Sequence, residues 1–539
     1  MKPAPLAILL LSCGGPPQQP PRKRAPVAPA PVEPTEAKLR VQMDVEPAHL
    51  NPLLFPDEWC FRIALGPIYE PLFSVDAAGR AVPGGLAASV KEAPDRLSLE
   101  VGLRTGAAWH DGRAVSTPDV AFTYEAILDP RNGLEPLRRE LQDLHMIELS
   151  ASQPRTLRVR LHRVNTNLAA VMAEIPVMPR HVFASPNGKI DWARHPATRR
   201  PVGSGPYRLH EWKRGTRIVL RRAGENGRAP LLEIAFVVEQ DGAEALAQLR
   251  RDEIDVLPRV LPVHYPDEAL TPLVQRRFFE VRLRPARFAL AVLNLRRAPL
   301  QDARVRRGLA GLVDAQALLV DVRRGLGRPI VVPGVPIEPL ALDAAGATRL
   351  LDEAGLKRAK SDGPRLSGTR PWRLELLAAA RAPSAEQQTR RIAADLGKEG
   401  ITVTPRFLEQ GDLFARLRRG TFDAAVLTFA TRPDVDLGPL LGTNGASNHG
   451  GFSDAEVDRA LDDIRREAPG AVRDAAKLRL GRRVRELQPV LFLYAVEEAA
   501  LVRRSFEGWS AAGDWLDLTR VRVAATPPAG PAGPTGPAR

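Results

Sequence analysis

The chain of 539 residues carries 77 Lys and Arg against 63 Asp and Glu, a formal net charge of +14, with 44% hydrophobic and 5% aromatic content. That length and apolar fraction support a large core divided among two to four structural units, and past the first residues no apolar run approaches the ~20 residues of a membrane span. The basic residues, mostly Arg, are scattered rather than gathered in a tail, which reads as a generally basic surface and not a nucleic-acid partner; the two cysteines, Cys13 and Cys60, exclude a thiolate metal cluster and a disulfide framework.

The chain opens Met1-Lys2, an apolar stretch Leu6 to Leu11, then Ser12-Cys13-Gly14-Gly15. A positive start, an apolar core and a small residue before the cut are the parts of an export signal. Leu10-Leu11-Ser12-Cys13 resembles a bacterial lipobox, which implies a signal over 1–13, acylation of Cys13 and a lipid anchor in the cell envelope. Residues 14–36 are rich in Pro, Ala and Gln and too poor in apolar side chains to fold, as suits an extended tether.

The folded body begins near Ala37, where Leu39, Val41 and Met43 alternate as in a strand. A helix is expected around Ile63 to Tyr69. A strand follows over Leu97–Arg104, then a turn at His110-Asp111-Gly112 and a helix from Ser116 to Leu128 with Pro118 in its first turn. Leu157, Val159 and Leu161 mark another strand. Gly203-Ser-Gly-Pro-Tyr207 leads into a hairpin, Glu233–Val238 reads as a strand and Ala243–Arg251 as a helix. Further on, Leu374–Ala379, Ile401–Thr404 and Phe422–Phe429 read as strands, Ala385–Lys398 as a helix capped by Gly400, and Ser453-Asp-Ala-Glu456 as a capping box opening a helix to Arg466. Residues 526–539 read as a flexible tail. The sum is a mixed α/β chain of at least two lobes, and a cleft between lobes suggests a ligand.

The chain lacks a zinc-binding His-Glu-x-x-His pair, a phosphate-binding Gly-Lys loop and a Gly-x-Ser-x-Gly elbow. The neighbours His110 and Asp111 admit two readings, a catalytic dyad or a capped turn, and the turn is the better supported. Cys60, between Trp59 and Phe61, reads as a packed small hydrophobe. No catalytic residue, metal or cofactor is therefore expected.

Several segments, taken in order, resemble the family 5 extracellular solute-binding proteins: Leu50-Asn-Pro52, Ile68-Tyr-Glu70-Pro-Leu72, Leu103-Arg104, Trp109-His-Asp-Gly112, Asp119–Thr123, Gly203–Tyr207, Asn294, Pro299–Arg306, Asn448–Phe452 and Pro489–Tyr494. The family comprises dipeptide, oligopeptide and nickel-chelate receptors of ABC importers. The resemblance spans roughly residues 38 to 525 and implies two lobes closing over a solute, as a monomer, for a permease and ATPase partner. It places 37–66, 200–282 and 486–525 in the first lobe, 67–199 in an inserted subdomain, and 283–485 in the second lobe.

In peptide-binding relatives an Asp in the second lobe meets the peptide's amino group, and the corresponding stretch here runs from Leu427 to Asp436. The resemblance makes Phe429, Arg432 and Asp434 candidate ligand contacts. The aspartate is not cleanly kept, so Arg432 stands either against a carboxylate or phosphate of the ligand or as a surface residue beside Pro433. From the first lobe, Phe55, Asp57, Glu58 and Trp59 lie where relatives approach the ligand, and an aromatic with acids suits an amine-bearing solute; the alternative is a packed Trp59 with solvated acids. A short peptide is the expected ligand; the alternatives are a metal chelate or an anionic compound in the same cleft, or a sensing role in place of transport, with an envelope hydrolase less favoured.

Overall fold

A computed structural model describes residues 37–54, 58–76, 79–224, 228–338, 343–431, 436–512 and 515–525. Cys13, the signal, the tether and the tail lie outside the described residues.

The alternation in the first folded segment puts Leu39, Val41 and Met43, all fully buried, on one face of the strand Lys38–Met43. That strand sits inside a seven-stranded mixed sheet ordered Phe278–Leu283, Glu498–Arg503, Val256–Leu257, Lys38–Met43, Glu233–Val238, Arg217–Arg222 and Tyr207–Lys213. Three separate stretches of sequence thus build one lobe. Packed against it is an antiparallel four-stranded sheet, Ala87–Glu92, Ser98–Leu103, Thr156–Leu161 and Leu144–Leu149. One continuous core joins the two, running from Leu39 through Val101 and Leu157 to Val521, so the smaller sheet is a subdomain fused to the first lobe.

The second lobe is a six-stranded sheet ordered Gly327–Pro329, Val490–Val496, Arg287–Leu293, Ala424–Ala430, Arg373–Ala379 and Thr402–Leu408. Its central strand reads Arg-Phe-Ala-Leu-Ala-Val-Leu without alternation because both faces are covered. Ala289, Ala291 and Leu293 face a core with the helices Ala303–Leu312 and Pro383–Lys398. Phe288, Leu290 and Val292 face another with Ala455–Arg466 and Ala471–Leu487. None of the helices among the described residues is long and apolar enough to cross a membrane.

The chain passes between lobes twice, at residues 284–286 and at Glu497, between strands that end in one sheet and begin in the other. The second crossing corrects the expected boundary at 485. Val490–Val496 pairs with Arg287–Leu293 and Gly327–Pro329, and its largely apolar side chains feed both cores of that sheet, Leu491 and Leu493 on one face and Val490 and Ala495 on the other. Two local expectations also shift. The helix expected at 63–69 is Glu58–Ala64, stopped by Gly66 at φ 90° and Pro67. The helix after residue 453 is capped by Asp454, whose carboxylate accepts from the amides of Glu456 and Val457, and not by Ser453.

Candidate ligand-binding cleft

The lobes enclose a cleft of about 2260 Å³ walled by both and by the inserted subdomain. On the first-lobe side the short helix Glu58–Ala64 turns Glu58, Phe61 and Arg62 to the cleft, the i, i+3, i+4 spacing of one helical face. Trp59 points the other way. It is 5% exposed, donates its indole N–H to Asp44 Oδ1 at 2.5 Å, and meets Phe236 and Trp515 edge-on. The expectation that Trp59 reaches the ligand is therefore corrected: the helical period that brings Glu58 to the cleft buries its neighbour. Glu58 pairs with Arg62 and, at 2.9 Å, with Arg259. Burial alone would raise its pKa, but the charges of Arg62, Arg259 and Arg287 outweigh that and hold it below the usual carboxylate range.

On the second-lobe side Phe429 lines the cleft, opposite Phe288 in the strand pairing. Arg432 and Asp434 lie outside the described residues, as do Phe55 and Asp57. The residues flanking 432–435, Thr431 and Asp436, both line the cleft. Asp436 accepts from the Gly438 amide at 2.8 Å and from Arg465 at 3.2 Å.

At the closed end of the cleft, the buried Glu498 of the first lobe receives Arg259 at 3.1 Å and Arg287 of the second lobe at 3.0 Å. A buried carboxylate shared by two guanidiniums is compensated charge, and it joins the lobes beside both chain crossings. Away from these crossings, the loop Asn165–Asn167 of the inserted subdomain meets the second lobe. The Thr166 amide and hydroxyl both donate to the Arg465 carbonyl, at 2.9 and 3.0 Å, and Arg473 donates to Asn167 Oδ1 at 3.1 Å. These cleft and bridging residues, Arg287, Arg465, Glu498 and the 165–167 loop, escaped the sequence reading because their partners are some 200 to 300 positions distant.

The segments that carried the family resemblance are mainly scaffold. Arg104 forks onto Glu70 at 2.9 and 2.8 Å, and Arg228 adds a further bond to that carboxylate. His110 accepts the Gly203 amide on Nδ1 at 3.2 Å, and its Nε2 lies 3.0 Å from the Gly205 carbonyl. Asp111 instead meets His181 at 2.7 Å, so the two neighbours serve separate partners. Gly203 is required by close approach: a Cβ there would lie 1.8 Å from the Ile68 carbonyl oxygen. Among the described residues no group of three or more His, Cys, Asp or Glu side chains is placed to hold a metal.

Two lobes, joined by paired crossings and closing on a solute-sized cleft, define a solute-binding protein. The family profile of bacterial extracellular solute-binding proteins, family 5 Middle, matches residues 81–450, and the chain belongs to that family. Protein XP55 of Streptomyces lividans is 28% identical over 472 residues, covering 82% of this chain and 81% of that protein. Among solved structures, oligopeptide-binding AppA from Bacillus subtilis in complex with a nonapeptide superposes with a TM-score of 0.73 at 21% identity, covering 90% of this chain and 99% of that one. NikA from Brucella suis in complex with Fe(III)-EDTA gives 0.78 at 21% identity, covering 90% and 100%. These two structures share the fold.

Proposed function

We propose that this protein is the receptor of an ABC importer, held at a membrane through a lipid on Cys13, and that it encloses a peptide-like solute between its lobes. The observation that carries the reading is the cleft. Its volume of about 2260 Å³ exceeds the roughly 300–1,000 Å³ of ordinary small-molecule pockets, and leaves room for a chain of several residues. Its wall alternates carboxylates and guanidiniums with apolar patches, as a zwitterionic solute with side chains requires. Family membership supports binding in place of catalysis, and the nonapeptide held by AppA, a protein of the same fold, supports a peptide cargo. The lipobox-like Leu10-Leu-Ser-Cys13 and the Pro-rich 14–36 support the anchor.

Peptide mixtures of two to nine residues should raise the melting temperature of the purified protein in a concentration-dependent way, by an amount corresponding to about 2.7 kcal/mol at a hundredfold excess over Kd. Absence of any shift with peptides would retire the peptide cargo. Cys13→Ser should move the protein from the membrane to the soluble fraction, and unchanged partition would retire the anchor.

A further inference from the structure

We infer that the cleft seats an anionic group of its solute, the carboxylate of a peptide-like molecule, on the guanidinium of Arg328, beside an apolar floor made by Phe288 and Phe429. The inference rests on the cleft being the ligand site proposed above, and it names the chemistry of what enters.

The first observation is one of register. Arg328 pairs with Ala495, Ala495 with Phe288, and Phe288 with Phe429, so these four residues form a single row across four adjacent strands. Residues directly opposite in paired strands project from the same face. All four line the cleft, and Ala495, Phe288 and Phe429 belong to one apolar cluster. Arg328 is therefore a charge mounted on a strand at the end of an apolar strip. With strands ~4.8 Å apart, the row runs about 14 Å from Arg328 to Phe429 and about 10 Å to Phe288. An extended peptide rises ~3.5 Å per residue, so a terminal carboxylate and an apolar side chain about three residues before it match that span.

The second observation is the state of the neighbouring charges. Two acids of the same wall, Glu497 and Asp436, are already met. Glu497 is held by Arg284 at 3.3 Å and Arg282 at 3.7 Å, and Asp436 by Arg465 at 3.2 Å. On the facing wall, Glu70 is held by Arg104 and Arg228, and Glu58 by Arg62 and Arg259. Arg104, Arg259 and Arg282 stand behind the wall, so they neutralise its acids without lining it. Arg328 itself is exposed, and among the described residues its side chain makes no ion pair or hydrogen bond. A planar fork of donors left open at the edge of an apolar strip matches a carboxylate bidentately, and closing the lobes strengthens that contact by removing water. Among the described residues Arg459, on the helix Ala455–Arg466, is the other uncommitted guanidinium of the wall, but it lies outside the apolar row.

The test uses the full chain and two pools of random tetrapeptides, identical except that one ends in a free carboxylate and the other in an amide. A third probe, 4-phenylbutyrate, carries the carboxylate and the apolar group without a peptide. The free-acid pool should produce a given melting shift at about tenfold lower concentration than the amide pool. Arg328→Gln should erase that preference, Arg459→Gln should keep it, and the unliganded melting temperature of both should match the parent. A preference that survives Arg328→Gln, or disappears only in Arg459→Gln, overturns the assignment to Arg328. Equal response to both pools overturns the anionic seat while the peptide reading stands. A response to 4-phenylbutyrate alone overturns the peptide reading, and Arg328→Gln must then abolish that shift for the seat to stand. Silence with all three probes overturns both.

Discussion

His110 shows how a residue near the binding cleft can be structural. Its ring bridges two turns by accepting from the Gly203 amide on Nδ1, which leaves Nε2 to donate to the Gly205 carbonyl and fixes the neutral tautomer. Burial pushes its pKa below the ordinary histidine value; the Gly205 contact and Glu70 work against that, and Arg208 and Arg228 reinforce it. The sign follows. A base whose folded pKa is depressed contributes stability in full above its unfolded value near 6.5, and that contribution is lost as pH falls below it, because the unfolded chain takes up the proton first. His110→Gln should cost about 1–3 kcal/mol at pH 7.5 by breaking the bridge, and should flatten the stability loss between pH 6.5 and 5.5. Urea titrations of parent and variant across that range measure both, and parallel pH slopes would show that His110 does not carry the effect. Trp59 and Glu58 make the complementary point. The family resemblance named both as contacts, and the helical period alone separates the buried ring from the cleft-facing acid.

Among elements, the helix Ala303–Leu312 explains why the stretch Pro299–Arg306 was so legible. Asp302 caps it through the Arg304 amide, and Arg306, 4% exposed, donates to four carbonyls, those of Leu300 and Gln301 before the helix and of Leu487 and Gln488 at the C-terminal end of the helix Ala471–Leu487. Burial draws the Arg306 pKa down to about 10, against the opposing charge of Asp302, while the four carbonyls accept from its Nε and Nη1. One side chain thus ties the helix to the strand Val490–Val496, which leads to the second crossing between lobes. Arg306→Met should destabilise the protein by about 3 kcal/mol or more, because four carbonyls lose a charged donor together. A denaturation midpoint equivalent to less than ~1 kcal/mol of loss would contradict that account. Local signals of this kind, a cap, a Pro in a first turn, an alternating triplet, made most elements readable. They failed where a decision belonged to another element: Val490–Val496 joins the second sheet by pairing with Arg287–Leu293 and Gly327–Pro329, some 200 and 160 positions earlier, and nothing within the segment records that. The cleft was legible as a consequence of two lobes. Its charged contacts were not, since Glu498 finds Arg287 only after the chain has folded back over 211 positions.

For the whole molecule, the question is what holds the lobes closed. The two crossings and the Glu498 network join them at one end, and the 165–167 loop joins the inserted subdomain to the second lobe elsewhere on the cleft. That loop is braced before it reaches across: Asn165 donates to the buried Asp143, and its own Oδ1 accepts the Asn167 amide at 3.0 Å. Its contacts with Arg465 and Arg473 are worth roughly 1 kcal/mol apiece, enough to bias an open–closed equilibrium and too little to lock it. Such a bias matters for a receptor that must capture and then release, because the fraction already competent to close scales the apparent affinity. The double variant Thr166→Val, Asn167→Ala removes one hydroxyl donor and the acceptor of Arg473, while Arg473 keeps its bond to the Ile464 carbonyl and Asn167, the N-cap residue of the helix Leu168–Ala173, makes no side-chain capping bond. Losing about 2 kcal/mol of closing bias should weaken solute binding by up to roughly thirtyfold and enlarge the radius of gyration of the unliganded protein in small-angle scattering. Asn167 lies on the cleft wall and Thr166 beside it, so weaker binding alone would be ambiguous; the scattering of the unliganded form separates a latch from a ligand contact. An unchanged radius with weakened binding would assign Thr166 and Asn167 to the solute, whereas expansion without any solute present would establish that this contact sets how far the lobes rest open.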